Sequence, residues 1–372
     1  MTWRRGLVFA MVQPMKALIA AGGRATRMRP ITHTINKHLI PLANRPMIVN
    51  AIEKIVEAGI TEIIINVNPG ETEIQKALGD GSAWGAKIQY LEQQGGPKGV
   101  AHTILNAQHL IGDEPVLFYL GDNIILGSVK PFVEKFENEG LDCLLALSRV
   151  RDPQRFGVPE FEGDRIIRVL EKPKNPPSPF AVTGIYAYSS KIFDAVRAIQ
   201  PSDRGEYEIS DANTWIIQNG GKVSYQEITG WWKDTGLPQD LLEGNALMLD
   251  QVRDGNGPAF ADADRHVSIQ GFVDIGEGTM LGPNVLIRGP VSIGKKCKLS
   301  ECYIGPYTSL GDGCIIENSE IEHSIIFEQA SIQNAGRIVD SIIGQKAKVT
   351  DAKSTLPRGN KLIIGDNSVV EL

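Results

Sequence analysis

The chain has 372 residues, is 42% hydrophobic and 22% charged, and carries a formal net charge of -6. That length exceeds one ordinary core and predicts two domains, both of which the apolar content can fill. A mildly acidic chain lacks the field that holds nucleic acid non-specifically, so any phosphate it binds is a small ligand met by a local basic cluster.

Within residues 1–14, Arg4 and Arg5 precede the apolar run Gly6 to Val12, which is too short for a signal peptide and has no small-x-small cleavage site. No other stretch approaches the roughly 18 apolar residues of a membrane span. The first strand begins immediately after Met15, so Met15 is the expected natural start and residues 1–14 an expected upstream extension. Cys143, Cys297, Cys302 and Cys314 form no C-x-x-C pair and have no histidine at zinc spacing, so they read as reduced packing residues of a cytoplasmic protein.

Lys16 to Ala21 is an apolar run that stops at Gly22-Gly23 and gives way to Arg24, Arg27 and Arg29, with Lys37 beyond. It reads as a buried strand emptying into a loop. Glycines without Cβ atoms let backbone N–H groups approach an anion, and the cations surround it. An ordinary strand-loop connection with solvated arginines explains a lone Gly-Gly equally well. Both the Walker loop and the dinucleotide fingerprint are missing, because Ala25 and Thr26 follow Arg24.

Met47 to Ala58 places Ile48, Ala51, Ile52, Ile55 and Val56 on one helical stripe ending at Gly59. Strand and helix candidates then alternate: Thr61 to Val67, Glu71 to Leu78, Lys87 to Leu91, Val100 to Leu110, Pro115 to Leu120, Val129 to Phe136 and Leu141 to Val150. This predicts a Rossmann-like α/β fold, a mostly parallel sheet covered on both faces with ligands at the carboxyl ends of its strands. Val116 to Leu120 delivers Asp122 at such an end, where it reads as a Mg²⁺ ligand on a triphosphate or as a turn residue. Asp234 follows in Gly230-Trp231-Trp232-Lys233-Asp234-Thr235-Gly236; either this is a packed corner, or Trp232 covers a sugar face while Asp234 completes the metal site. Glu171 and Lys172 offer an acceptor for sugar hydroxyls and a charge for phosphate, or are solvated before the stiff loop Pro173 to Pro179. Ala181 to Tyr188 is a strand, Gly205 to Asp211 opens a helix running to Gln218, and another helix spans Gln239 to Val252.

The stretches Gly22-Gly23-x-x-Thr26-Arg27, Lys37-His38-Leu39-Ile40-Pro41, Gly121-Asp122-Asn123, Glu171-Lys172-Pro173, Val182-Thr183-Gly184, Gly205-Glu206 and Trp232-Lys233-Asp234-Thr235-Gly236 occur in one order. In that order and spacing the chain from Met15 to Leu372 resembles the glucose-1-phosphate thymidylyltransferases, in their longer variety. Ala25 stands where that family usually has Gly, at a cost on the order of 1 kcal/mol if the backbone there is left-handed. Asn36 stands where Pro often precedes the lysine, and Phe156 replaces a frequent Tyr.

The resemblance implies that Ala20, Gly22, Gly23 and Arg27 hold the nucleotide, that Gln93 and Gly99 read its base, and that Lys37 contacts phosphate at the reacting centre. It places the sugar phosphate on Phe156, Gly157, Glu171, Lys172, Val182 and Trp232, and Mg²⁺ on Asp122 and Asp234. The implied reaction joins dTTP, or UTP, to glucose 1-phosphate for activated-sugar biosynthesis. A sugar 1-phosphate is already an anionic nucleophile, so positioning and charge neutralisation by Arg27, Lys37, Asp122, Lys172 and Asp234 suffice without a general base. A UDP-sugar pyrophosphorylase and a non-catalytic regulatory homologue are the alternatives within the same resemblance.

After a linker at 254–262 the apolar period becomes six: Ile269, Ile275, Leu281, Ile287, Ile293 and Leu299, continuing with occasional five-residue steps through Ile304, Leu310, Ile316, Ile321, Ile326, Ile332, Ile338, Ile343 and Val349. This is the hexapeptide repeat of a left-handed parallel β-helix over 263–372. Its open ends favour self-association into a homo-oligomer. Hexapeptide helices also resemble acyltransferases, and His266 and His323 are the histidines such a second activity would have to use.

Overall fold

The computed structural model describes residues 14–23, 25–96, 98–228, 232–251, 261–262 and 266–351. The chain divides into two compact units, one formed by 1–23 with 51–232 and the other by 24–50 with 233–372. The expected extension at 1–14, apart from Pro14, and the expected linker at 254–262, apart from a two-residue strand at Ala261–Asp262, lie outside the described residues, as do Arg24, Trp231 and 352–372. Among the described residues no helix is long and apolar enough to cross a membrane.

The first unit is built on a nine-stranded sheet. Its core is parallel, in the order Val116–Leu120, Lys16–Ala20, Glu62–Val67, Lys87–Glu92, with helices such as Val100–Ile111 as crossovers. These strands read as apolar runs because the sheet is covered on both faces: Ala17, Leu18, Ile19, Leu117, Phe118 and Ile65 are buried. The second half of the unit departs from parallel order. Phe180–Tyr188 lies antiparallel to Val116–Leu120 and to Cys143–Arg149, and Gly157–Glu162 pairs antiparallel with Arg165–Glu171. Gly59, at φ 89°, stops the helix Met47–Glu57, accepting the backbone turn that an L side chain resists.

The second unit holds the repeats as a parallel β-helix. The period of six deals successive aliphatic residues onto different faces, so each returns to its own face in the next coil. Ile269, Ile287, Ile304, Ile321 and Ile338 therefore pair laterally in one ladder. Ile275, Ile293, Leu310, Ile326 and Ile343 form another, and Leu281, Leu299, Ile316, Ile332 and Val349 a further one. These ladders fill the interior together with Cys297, Cys302 and Cys314. The four cysteines are free and buried, as the absence of any paired spacing predicts. Corners turn at left-handed residues such as Asn284, Glu301, Asn318 and Asn334, whose side chains hydrogen-bond along the column.

Candidate active site

In the first unit, parallel pairing levels the strand ends. Ala20 pairs with Leu120, and the Gly121 N–H donates to the Ala20 carbonyl at 3.0 Å. Ala21 donates to Asn66 at 2.9 Å, and Gln93 to Val67 at 2.8 Å. Asp122, the Gly22-Gly23 turn, Asn68 and Gln93 thus leave four adjacent strands at one carboxyl edge, where α/β sheets bind ligands.

Each of these groups has a support. A Cβ on Gly22 would lie 3.2 Å from Asn66 Nδ2, a close approach that favours glycine. Gly23, at φ 113°, is pinned from both sides by Asn68: its N–H donates to Asn68 Oδ1 at 2.9 Å and its carbonyl accepts from Asn68 Nδ2 at 3.1 Å. Gln93 is buried, its Oε1 accepting from Thr103 Oγ1 at 3.2 Å and its Nε2 lying 3.0 Å from His102 Nδ1. Burial, and then the nearby Lys98, hold the His102 pKa below its usual 6.5, so the neutral ring accepts from the Gln93 amide. Gly99 has φ 97°, and a Cβ there would meet Tyr207 O at 2.7 Å.

The residues expected at the sugar phosphate form a second row. Glu171 pairs with Gly157, and Gly157 with Val182, across neighbouring strands. Glu171 Oε2 accepts from Ser210 Oγ at 2.8 Å, while Oε1 faces Lys172 Nζ at 3.2 Å and Arg204 Nη2 at 3.4 Å. A Cβ on Gly157 would sit 2.7 Å from that Ser210 hydroxyl. Lys172 holds a left-handed φ of 44°, a strained state for a residue with a side chain. Phe156 meets Trp232 edge-on with centroids 5.3 Å apart.

Asn123 joins the two rows. Its Nδ2 donates to Asp122 Oδ1 at 3.0 Å, and its Oδ1 accepts from Trp232 Nε1 at 2.6 Å and from the Gly184 N–H at 3.3 Å. Asn123, Asn68, Ser210 and Arg204 hold candidate site residues by hydrogen bonds that the sequence reading did not assign. Asn123 was within the Gly-Asp-Asn motif, whereas the others lie far in sequence from the groups they hold.

The second unit carries Arg27, Lys37 and Asp234. Ala25 is left-handed, at φ 43° and ψ 45°, and its carbonyl accepts from Met28 N at 3.0 Å and Thr32 Oγ1 at 2.8 Å, closing the turn that presents Arg27. Asn36 Oδ1 accepts from the His38 N–H at 2.9 Å and so caps the turn Lys37–Leu39, fixing the lysine's backbone by a side-chain hydrogen bond. Arg27 and Asp234 converge on the bare backbone of Gly236: a Cβ there would lie 3.3 Å from Asp234 Oδ2 and 3.5 Å from Arg27 Nη1. Lys233 turns away to Asp240 at 2.9 Å and Glu243 at 2.5 Å. Burial opposes its charge, but those carboxylates prevail and raise its pKa.

On the β-helix, His323 Nδ1 lies 2.5 Å from Asp340 Oδ1, and the ring meets Tyr307 edge-on. All three are left-handed corner residues of successive coils, which accounts for their stacking.

A family model described as nucleotidyl transferase matches residues 16–251. The chain is 40% identical over 362 residues to a glucose-1-phosphate thymidylyltransferase of Streptomyces griseus, covering 96% of this chain and 99% of that protein. It is also 40% identical, over 96% of its length and 100% of the relative's, to a low-salt glycan biosynthesis nucleotidyltransferase of Haloferax volcanii. Among solved structures, a Bacillus anthracis chain provisionally named a glucose-1-phosphate thymidylyltransferase and bound to sucrose superposes with TM-score 0.60 at 38% identity, covering 66% of this chain and 97% of that one. A UDP-glucose pyrophosphorylase with UDP-glucose superposes with TM-score 0.57 at 25% identity, covering 64% and 100%.

Proposed function

The chain belongs to the nucleotidyl transferase family, and from that premise we propose that this sugar-phosphate nucleotidyltransferase joins dTTP to glucose 1-phosphate, releasing pyrophosphate and dTDP-glucose. The observation that carries this reading is the levelled edge at Gly22-Gly23, Asp122 and Gln93, tied through Asn123 and Trp232 to the row Gly157, Glu171 and Val182. The first set suits a nucleotide and the second a sugar phosphate.

In this reading the Gly22-Gly23 turn and Arg27 take the triphosphate, Gln93 and Gly99 the base, and Glu171 the sugar hydroxyls. Lys37 and Lys172 hold the anionic reactants in line for attack of the sugar phosphate oxygen on the α-phosphorus, with pyrophosphate leaving beside Arg27. Asp122 and Asp234 are the magnesium ligands. The two side chains suit the ion by type, since Mg²⁺ takes oxygen ligands and commonly one or two carboxylates plus substrate phosphates. Bound there, the ion would neutralise charge on the transferring phosphates.

UTP is the second reading, favoured by the superposition on a UDP-glucose pyrophosphorylase. One methyl separates the bases and is worth only about 1–3 kcal/mol. A pyrophosphate-release assay crossing dTTP, UTP, CTP, ATP and GTP with the 1-phosphates of glucose, galactose, mannose and N-acetylglucosamine decides it. We expect dTTP with glucose 1-phosphate to lead, UTP to follow within roughly 200-fold, and EDTA to abolish release. Asp122→Asn, Arg27→Ala and Lys172→Ala should each slow turnover roughly 100-fold to 1000-fold. Near wild-type rates in all of them would falsify the residue assignment.

A further inference from the structure

The segment that carries Arg27 and Lys37 ends in a tight hairpin, Pro41–Leu42 against Arg45–Pro46. Its tip, Ala43 and Asn44, is left-handed at both positions, with φ 47° and 61°. Asn suits that backbone, but Ala has no local means of satisfying it, so something outside the hairpin holds it.

That hold is one buried amide. Asn245, fully buried on the helix Pro238–Gln251, accepts the Ala43 N–H at 2.8 Å and the Ser309 hydroxyl at 2.7 Å on its Oδ1, and donates from Nδ2 to the Tyr307 carbonyl at 3.0 Å. Asn44 reaches the same coils, donating to Ser292 Oγ and the Leu310 carbonyl at 2.9 Å each. Ser292 and Ser309 are lateral partners on adjacent coils, and strand alternation turns them outward from the interior residues Val291, Ile293 and Leu310. They are nonetheless only 4% and 1% exposed, since the hairpin tip and this helix engage them.

We infer that Asn245 is a positioning residue for nucleotidyl transfer, and that the β-helix is part of the transferase because its coils fasten, through Asn245 and Ser309, the segment presenting Arg27 and Lys37. The path is short. Lys37 closes its turn onto Ile40, the Ile40 carbonyl accepts from Met47 N at 3.1 Å, and the hairpin lies between those two residues. Loosening the tip frees the cations while leaving the first unit's base and sugar contacts intact, so turnover should fall far more than substrate binding weakens. The inference rests on the roles proposed above for Arg27 and Lys37.

The test uses the full chain with Asn245→Ala, the milder Ser309→Ala, Arg27→Ala, and Asn245→Ala combined with Arg27→Ala. Steady-state pyrophosphate release should show kcat reduced about 10-fold or more in Asn245→Ala, and less in Ser309→Ala, with both KM values within about threefold of wild type. In the Arg27→Ala background, Asn245→Ala should cost less than it does alone, because residues acting as one unit are not additive, and what remains reports the loosened Lys37. Hydrogen exchange should quicken in peptides covering 25–46 and not in those covering 100–228. Wild-type kcat in both single variants, full additivity with Arg27→Ala, or unchanged exchange at 25–46 overturns the inference. Wild-type turnover in Arg27→Ala alone overturns the reading of Arg27 and this inference with it, whereas a slow Arg27→Ala beside a wild-type Asn245→Ala overturns the inference only.

Discussion

Ala25 holds a left-handed backbone, φ 43°, at the start of the turn that presents Arg27. For an L-residue that state costs roughly 1–2 kcal/mol, which glycine escapes at the expense of a more flexible unfolded chain. Ala25→Gly should therefore gain about 0.5–1 kcal/mol and raise Tm by about 1–4 °C in thermal unfolding. A lower Tm would mean that the turn is not held as Met28 and Thr32 suggest. His102 gives a pH dependence. Its folded pKa lies below 6.5, so the folded protein binds fewer protons than the unfolded chain between those values, and the support given by the neutral ring is present above 6.5 and lost as pH falls through the folded value. Protonation removes the acceptor for the Gln93 amide, so KM for the nucleotide should rise on the acid side, and His102→Gln should flatten that limb. An identical limb in His102→Gln would assign the titration elsewhere. At this scale the site was partly legible. Ala25 stood out against a glycine pattern, but Asn68, Ser210 and Arg204 act on groups 33 to 45 residues distant, and no local pattern encodes which strand ends become neighbours.

Gly184 shows what one element does for the site. It lies in Phe180–Tyr188, where the pairing with Cys143–Arg149 slips between Val182 and Tyr186. A Cβ on Gly184 would sit 2.7 Å from Asn123 Nδ2 and 2.8 Å from Leu120 Cβ. Gly184→Ala should displace Asn123 from Asp122 and Trp232, lowering turnover about 10-fold to 100-fold and stability by about 1–3 kcal/mol through overpacking. Steady-state rates beside a thermal melt would separate these effects; unchanged turnover would show that Asn123 does not position the carboxylate. The helices and the parallel core followed from periodicity, since amphipathic stripes alternate with short apolar runs. The direction of Phe180–Tyr188 did not, because a strand buried along nearly its whole length shows no alternation and carries no mark of parallel or antiparallel pairing.

At the scale of the whole molecule, the period of six identified the β-helix because every coil must stack an aliphatic residue on the last, and the ladders follow that series closely. The membership of residues 24–50 in the β-helix unit was not legible, since their motif reads as a phosphate loop of the α/β sheet and only folding places the hairpin tip on the coils. This grouping predicts how damage spreads. Ile316, fully buried, pairs with Leu299 and Ile332 midway along its ladder. Ile316→Ala leaves a cavity between rungs that cannot close without shifting both neighbours, and should cost about 2–5 kcal/mol. Repeat proteins transmit such losses through nearest-neighbour contacts, so the coils beside it, including those holding Ser292 and Ser309, lose stability first. On heating, Ile316→Ala should lose pyrophosphate release and amide protection in 25–46 several degrees below wild type, while amides of Val116–Leu120 retain theirs to a higher temperature. Should protection vanish together in 25–46 and Val116–Leu120, the chain melts as one cooperative body and the β-helix does not control that segment separately.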